Sequence, residues 1–482
     1  MPLSLKLLLV LLHNALSFGI RIAMLISVPK WHPPVTAMAW LLVIFIWPIP
    51  GFLFYLMFSS RKLPQKRTQR HEKSIAKLLE EDKTIDMIRE YTMPQIPEKL
   101  EKFARLGQSL ADMPVMGGNK IEAITDTYEL FRNLASDIDR AKDHVHLLYF
   151  IINEDKATSC VLQALERAAK RGVACRVLAD AIGSKRFLKK AAPQLRKAGV
   201  TVVEALPPSL FRRFKTNARF DLRNHRKIAV IDGVKAYTGS HNLIEPTYQH
   251  KANGLPWRDI TLAIEGPVIA QIQRVFVEDW YVETGEFLQE TIPQLELDSR
   301  DVLIQTVPSG PCYPTENYQR LVAAALHQAQ NRIIITTPYL IPDEALLEAM
   351  EVAVLGGTKV QLVVPQKPDQ FLAGNASKAH YEQILNMGVE IYLYKDGILH
   401  AKTMTIDNDL AFFGTSNFDI RSFELNFEIN LVLYGEVPLL DIRRIQERYI
   451  ASSRKLSIDE WEKRPLHEET IQNVAKLFSP LL

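Results

Sequence analysis

Apolar residues are spread very unevenly along the chain. Residues 33–60 carry no charge, and 35–58 are almost wholly apolar. A membrane-crossing helix needs about 20 such residues, so this run predicts a transmembrane segment. Trp40 and Trp47 suit an interface, although Trp47 would lie deep, and Pro48 and Pro50 predict a kink. A second candidate, residues 7–26, contains His13 and Arg21, and the arginine could snorkel to a nearby interface. The competing reading of that first run is a cleaved signal peptide, but no small-x-small site follows it. Behind both runs come Arg61, Lys62, Lys66, Arg67, Arg70 and Lys73. Such clusters stay on the cytoplasmic side of a cell membrane, so a multi-pass helical hairpin with a cytoplasmic body is expected. The same cluster would meet anionic headgroups. Arg21 and Lys30, in or near the hairpin loop, oppose that orientation with two charges against six.

Residues 61–118 are charged and read as a connector, with a helical pattern over 73–91 interrupted by Pro94 and Pro97. Beyond them strand and helix patterns alternate. Strands are predicted at 144–152, 174–178 and 200–204, with helices at 160–171 and around 187–197. The order then repeats, with strands at 332–337, 360–364 and 390–394 and helices at 343–354 and 375–387. Tyr149 with Asp155 is loosely echoed by Tyr339 with Asp343. Alternation of this kind predicts an α/β fold with a largely parallel sheet. Repetition predicts two pseudo-symmetric domains, 119–295 and 296–482, packed around one site and preceded by two membrane segments in 1–60.

Composition changes this picture only by exclusion. The net charge of the 482 residues is +3, so no global electrostatic signal for nucleic acid exists. Cys160, Cys175 and Cys312 are too few and too far apart for a disulfide framework or a zinc site, and read as ordinary thiols.

The chemistry lies in a repeated motif. His225-Arg-Lys227 is followed by Asp232 and Gly239-Ser240-His-Asn242; His400-Ala-Lys402 is followed by Asp407 and Gly414-Thr415-Ser-Asn417. Every corresponding pair is 175 residues apart. One such H-x-K-x4-D would arise by chance in roughly one chain of this size in thirty, but two in the same register would not. His and Lys two apart on a strand face the same way. One imidazole can attack phosphorus while a second protonates the leaving alcohol. Ammonium groups and donors from Asn, Ser or Thr suit the non-bridging phosphoryl oxygens. Each half supplies one His and one Lys; together they supply a nucleophile, an acid and a cradle.

These residues resemble the phospholipase D superfamily, and within it the bacterial cardiolipin synthases. The stretch Phe220-Asp221-Leu222-Arg223-Asn224-His225-Arg226-Lys227 carries the likeness most closely. Trp257-Arg258-Asp259, Gly266-Pro267, Ser309-Gly310-Pro311, Thr337-Pro338-Tyr339 and Ser479-Pro480-Leu481 extend it over almost the whole chain. The resemblance implies that His225 is the nucleophile, forming a phosphatidyl-histidine, and that His400 is general acid and then general base. It implies that Lys227, Lys402, Asn242 and Asn417, with Ser240 and Thr415, hold the phosphate. Asp259 and Glu428, 34 and 28 residues after their respective histidines, are the expected partners of the imidazoles' second nitrogens. Asp232 and Asp407 complete the motifs and are counted with the catalytic set, though a turn ending each strand is their expected place. Neither a metal nor a cofactor is expected, because lysines meet the phosphate charge.

The same motif serves lipases, nucleases and other phosphodiesterases. A membrane anchor, a basic cluster beside it and the whole-chain likeness favour phosphatidyl transfer between two phosphatidylglycerols, giving cardiolipin and glycerol, with anionic phospholipid and membrane as partners and no nucleic acid. The alternatives are a hydrolase releasing phosphatidic acid, a transferase with another donor lipid, and an inactive membrane scaffold. A homo-oligomer is compatible with the sequence. Arg421, Asn426 and Asn430 fit either the site or ordinary packing. Residues 206–215, followed by Arg219 and Phe220, interleave apolar and cationic side chains and fit either an anionic lipid interface or a packed loop.

Overall fold

The computed structural model describes residues 3–32, 34–59, 65–80, 94–208, 221–248, 254–289, 302–313 and 316–479. It divides into two compact units, Met1–Lys62 and Leu63–Leu482. In the first, Leu3–Trp31 is one helix, and its stretch Lys6–Trp31 is long and apolar enough to cross a membrane. The second apolar run is not one helix. It breaks at Trp47 into Pro34–Ile46 and Pro48–Phe58. Pro48 has no N–H to continue the ladder, and its ring clashes with the preceding turn.

The second unit is built on a single 15-stranded sheet. Its strands in the first half are β1 (Met116–Ile124), β2 (His144–Tyr149), β3 (Ala174–Asp180), β4 (Thr201–Ala205), β5 (Ile228–Ile231) and β6 (Lys235–Gly239). A two-residue strand β7 (Trp257–Arg258) lies outside the sheet, and β8 (Thr261–Glu265) rejoins it. In the second half come β9 (Val302–Ser309), β10 (Arg332–Thr336), β11 (Leu340–Ile341), β12 (Lys359–Pro365), β13 (Glu390–Tyr394) and β14 (Ile398–Leu399). The chain then adds β15 (Thr403–Ile406), β16 (Leu410–Gly414), β17 (Phe418–Asp419), β18 (Glu428–Tyr434) and β19 (Ser453–Lys455); β11 pairs with β17 and β14 with β7, all four outside the large sheet. Spatial order is β19-β13-β12-β10-β15-β16-β18-β9 and then β1-β8-β6-β5-β2-β3-β4. The second half thus repeats the first about the β1–β9 pair, where Met116 faces Ile304 and Asn119 faces Val302.

The sheet is less parallel than the alternation suggests. Parallel pairing is confined within it to β2-β3-β4 and β10-β12-β13, the strands joined through helices. Around the motifs it is antiparallel, because β5 and β6, like β15 and β16, are joined by tight turns. Alternation along β5 sends Ile228 and Val230 to one core and Ala229 and Ile231 to the other. On that second face lie the helices Thr127–Arg140 and Ser159–Lys170; the first face carries Glu98–Ala111, Ile269–Thr284 and Asn317–Gln328 in a core continuous through both halves.

The connector is part of this body. In the helix Gln65–Glu80, Arg67 forms a bidentate pair with Glu283 at 2.6 and 2.7 Å, with both side chains buried. Arg70 donates to the Val282 carbonyl at 2.9 Å. Two of the six cations expected at lipid headgroups are therefore committed to the helix Ile269–Thr284. The expected helix over 73–91 is described only to Glu80.

Candidate active site

Each histidine sits on extended chain leading into a central strand, His225 before β5 and His400 before β15. Each is held there by the other half of the molecule. Asn224 bridges to Phe427, His225 N–H donates to the Phe427 carbonyl at 2.9 Å, and Phe427 N–H returns a bond to Arg223. Symmetrically, β14 pairs with β7, so that Leu399 faces Arg258, and His400 N–H donates to the Arg258 carbonyl at 2.9 Å.

This exchange fixes the carboxylates. The residue after Phe427 is Glu428, and its carboxylate meets His225 Nδ1 at 3.0 Å; the residue after Arg258 is Asp259, which meets His400 Nδ1 at 2.6 Å. The pairing is crossed between halves, whereas sequence order assigned each carboxylate to the preceding histidine of its own half. Against a carboxylate, Nδ1 carries the proton, leaving Nε2 free for chemistry. Glu428 is fully buried and Asp259 nearly so.

Lys227 and Lys402 are also buried, and each Nζ donates to the carbonyl of its own motif histidine, Lys227 at 2.8 Å. Burial pushes Lys227 down to about 8, against the pull of Glu428 and Asp259. Lys402 falls to about 7, through burial and the nearby Lys227, against Asp259. Burial likewise lowers His225, with Lys227 opposing the Glu428 carboxylate, and takes His400 to about 3. Burial alone would raise Asp259, but the His400 pair outweighs it and holds the carboxyl well below its usual range. In the protein alone, two lysines therefore face two carboxylates beside two neutral imidazoles. Lys402 influences His225 and Lys227 influences His400, so the motifs share one electrostatic site.

The downstream G-[ST]-x-N segments close the strands onto one another. A Cβ at Gly239 would stand 2.7 Å from Thr261 Cα, and one at Gly414 2.6 Å from the Ile429 carbonyl oxygen and 2.7 Å from Asn430 Cα. Only glycine permits that approach. Ser240 and Thr415 are not free phosphate donors. Ser240 Oγ donates to the Ile260 carbonyl and accepts from Ile260 N–H at 2.9 Å, and Thr415 does the same with Ile429. Both hydroxyls brace the strands carrying the carboxylates. Asn242 Oδ1 accepts from Ile151 N–H at 3.1 Å, and Asn417 Nδ2 donates to Asp419 at 2.9 Å.

Asp232 and Asp407 belong to the opposite end of the strands. Both adopt left-handed φ (+50° and +46°) in the tight turns after β5 and β15. Asp232 accepts the N–H groups of Lys142, Asp143 and His144, and Asp407 those of Gln330, Asn331 and Arg332, at 2.7–2.9 Å. At about 3.3 Å per residue they lie some 17 Å from the motif lysines. They anchor the turns and do not reach the chemistry.

Several neighbours are invisible in the motif itself. Arg226, between His225 and Lys227, is buried, pairs with Asp279 at 2.7 Å and donates to the Glu428 carbonyl at 3.0 Å. Asp180 accepts Asn224 N–H at 3.1 Å and pairs with Arg223 at 3.2 Å. Trp257 stacks on His400, with centroids 4.6 Å apart and planes at 14°, whereas Phe150 meets His225 edge-on at 5.0 Å. Arg421 donates to the Asp221 carbonyl at 2.7 Å, joining the halves, and Asn430 bonds Ser416 at 2.8 Å; Asn426 approaches Glu428 at 3.4 Å. Residues 209–220, including most of the mixed apolar and cationic segment, lie outside the described residues, as do Pro480 and Leu481.

A family model described as cardiolipin synthase, PLD-like domain, matches residues 134–280 and 322–450, one match on each half. The chain is 37% identical over 459 residues to a cardiolipin synthase A of Pectobacterium carotovorum, covering 93% of both chains. It is 34% identical over 460 residues to that of Proteus mirabilis, covering 94% of both. This chain belongs to the cardiolipin synthase family. Among solved structures, a phosphatidylserine synthase of Haemophilus influenzae shares the fold, with a TM-score of 0.58 at 15% identity, covering 79% of this chain and all of that one. Family membership accounts for the duplicated motif, and the crossed carboxylates join its two copies in one cluster.

Proposed function

We propose that the protein is a membrane-associated cardiolipin synthase that transfers a phosphatidyl group from one phosphatidylglycerol to the headgroup hydroxyl of another. The observation that carries this reading is the reciprocal pairing of His225 with Glu428 and His400 with Asp259 beside two buried lysines. His225 Nε2 attacks the donor phosphorus while His400 Nε2–H gives its proton to the departing glycerol oxygen. The P–O bond to glycerol breaks as the P–N bond forms. His400, now neutral, accepts the hydroxyl proton of the second phosphatidylglycerol, whose oxygen attacks phosphorus and releases His225. Lys227, Lys402, Asn242 and Asn417 hold the non-bridging oxygens. One phosphodiester replaces another, so no outside energy source is required.

The two rings have surroundings suited to these roles. His400, with the shorter carboxylate bond and the stacked indole, can hold a cation, which a general acid needs. His225 has the longer bond and only an aromatic edge, leaving it the better nucleophile. The negative phosphodiester also favours protonation of His400, working against the burial and, after it, the lysines that lower it.

Mass analysis of lipids after incubating purified protein with phosphatidylglycerol vesicles tests the proposal. Cardiolipin and glycerol from the unmodified protein, and neither from His225→Ala or His400→Ala, are expected. Phosphatidic acid without cardiolipin would make the enzyme a hydrolase, and turnover only with phosphatidylethanolamine present would change the donor.

A further inference from the structure

The anchor carries a consequence for membrane topology. Helices of 13 and 11 residues reach about 20 and 16 Å, against about 30 Å of hydrocarbon, so neither half of the second apolar run can cross alone. Nor do they continue one another. Trp47 leaves helical geometry at φ −127°, ψ 84°. Gly51 then packs so closely on the preceding helix that a Cβ there would lie 2.8 Å from Ile44 Cα and 2.9 Å from the Val43 oxygen. In a straight helix residues seven apart are separated by about 10 Å.

The returning helix runs back to where the run began. Tyr55 meets Trp40 edge-on at 5.4 Å and His32 at 5.7 Å, and its hydroxyl lies 3.3 Å from His32 Nε2. His32 stands just before the first helix of the pair, so entry and exit are at the same level. The depth of the turn can be read from Arg21, whose guanidinium donates to the Phe45 carbonyl at 3.0 and 3.3 Å. Trp47 N–H still reaches the Val43 carbonyl, but the break leaves the Phe45 carbonyl to the guanidinium, and an intramembrane arginine is stable where it meets such a group. Arg21 is ten residues, about 15 Å, from Trp31, which is half the hydrocarbon thickness. Beyond it Leu7, Leu8, Leu9, Leu11 and Leu12 are all at least half exposed, as in a helix running on alone.

We propose that residues 34–58 form a re-entrant hairpin that dips to about mid-bilayer and returns, so that the chain crosses the membrane once. The N-terminal end of the first helix and Ser59 then lie on opposite faces. A second observation agrees independently. In a two-crossing anchor Lys30 stands across the membrane from Arg61, Lys62 and the cations after them; with a re-entrant hairpin all of these are on one face, leaving Lys6 on the other. The conflict in charge placement disappears, and that face is the cytoplasmic one.

Single cysteines test this in the full-length protein with Cys160, Cys175 and Cys312 replaced by alanine. Ser4→Cys, Trp47→Cys and Ser59→Cys are treated with a membrane-impermeant maleimide in intact and in permeabilised cells. Ser4→Cys is expected to react in intact cells, Ser59→Cys only after permeabilisation, and Trp47→Cys in neither. Reaction of Ser4→Cys and Ser59→Cys from the same face would overturn the single crossing. So would reaction of Trp47→Cys in intact cells, which requires the hairpin to traverse.

Discussion

At the residue scale, the site depends on buried cations held against their solvation. Because the ordinary lysine value is lowered to about 8 and about 7, the alkaline limb of kcat/KM should fall near pH 7–8, not near 10. Lys402→Arg, which stays charged, should move that limb upward even as the rate falls. The same burial destabilises the fold, by about 1.4 kcal/mol for each unit the folded value lies below the unfolded one. Lys402→Met should therefore abolish activity yet gain a few kcal/mol in stability at pH 6. The sign follows from linkage. The folded value lies below the unfolded one, so the penalty is full below about pH 7 and shrinks as pH rises from there towards 10.5. Urea unfolding at pH 6 and pH 9 would show the larger gain at the lower pH. The crossed carboxylates make a kinetic prediction too. Asp259→Asn should slow the proton-transfer steps assigned to His400 by about 10²–10⁴-fold, by disturbing its tautomer. Steady-state kcat/KM of the single variant with phosphatidylglycerol vesicles checks this.

At the element scale, the motif contains two kinds of residue with two different jobs. His and Lys lie at the catalytic end of a strand, and Asp at the turn on the other end. Asp407→Ala removes acceptors from three N–H groups and should cost about 1–3 kcal/mol, while the folded fraction keeps its turnover per molecule. Thermal unfolding beside an activity assay separates those effects. The period-2 and period-3.6 patterns located the parallel strands well: 390–394 and 332–336 fall almost where expected, and the helix expected at 343–354 runs Glu344–Leu355, with Asp343 as its cap. They failed for 187–197 and 375–387, each of which is two short helices. They also missed β1, β8, β9 and β18. Those central strands have no distinctive turn chemistry linking them to their partners, since β8 pairs with β1 across more than a hundred residues.

At the scale of the whole molecule, neither half is complete. Each supplies the carboxylate that orients the other's histidine, Arg226 and Arg421 fasten the halves together, and β1 and β9 fuse their sheets. Because every one of these contacts lies within one chain, mixing His225→Ala with His400→Ala protein in shared vesicles should restore no cardiolipin synthesis. Recovery of activity would show that halves are exchanged between molecules.

The sequence alone determined the duplicated chemistry, the α/β alternation and the apolar anchor, because each is written as local spacing: two residues along a strand, 175 between copies, some 20 apolar positions in a run. Only the tertiary structure decided which carboxylate serves which histidine, that Ser240 and Thr415 brace strands, and that the second apolar run folds back on itself. Those outcomes depend on which chain segments approach one another. Strand exchange between halves puts Glu428 beside His225 and Asp259 beside His400, and the break at Trp47 lets Tyr55 return to His32. Spacing along one chain cannot encode such partners, because their sequence separation is set by the fold.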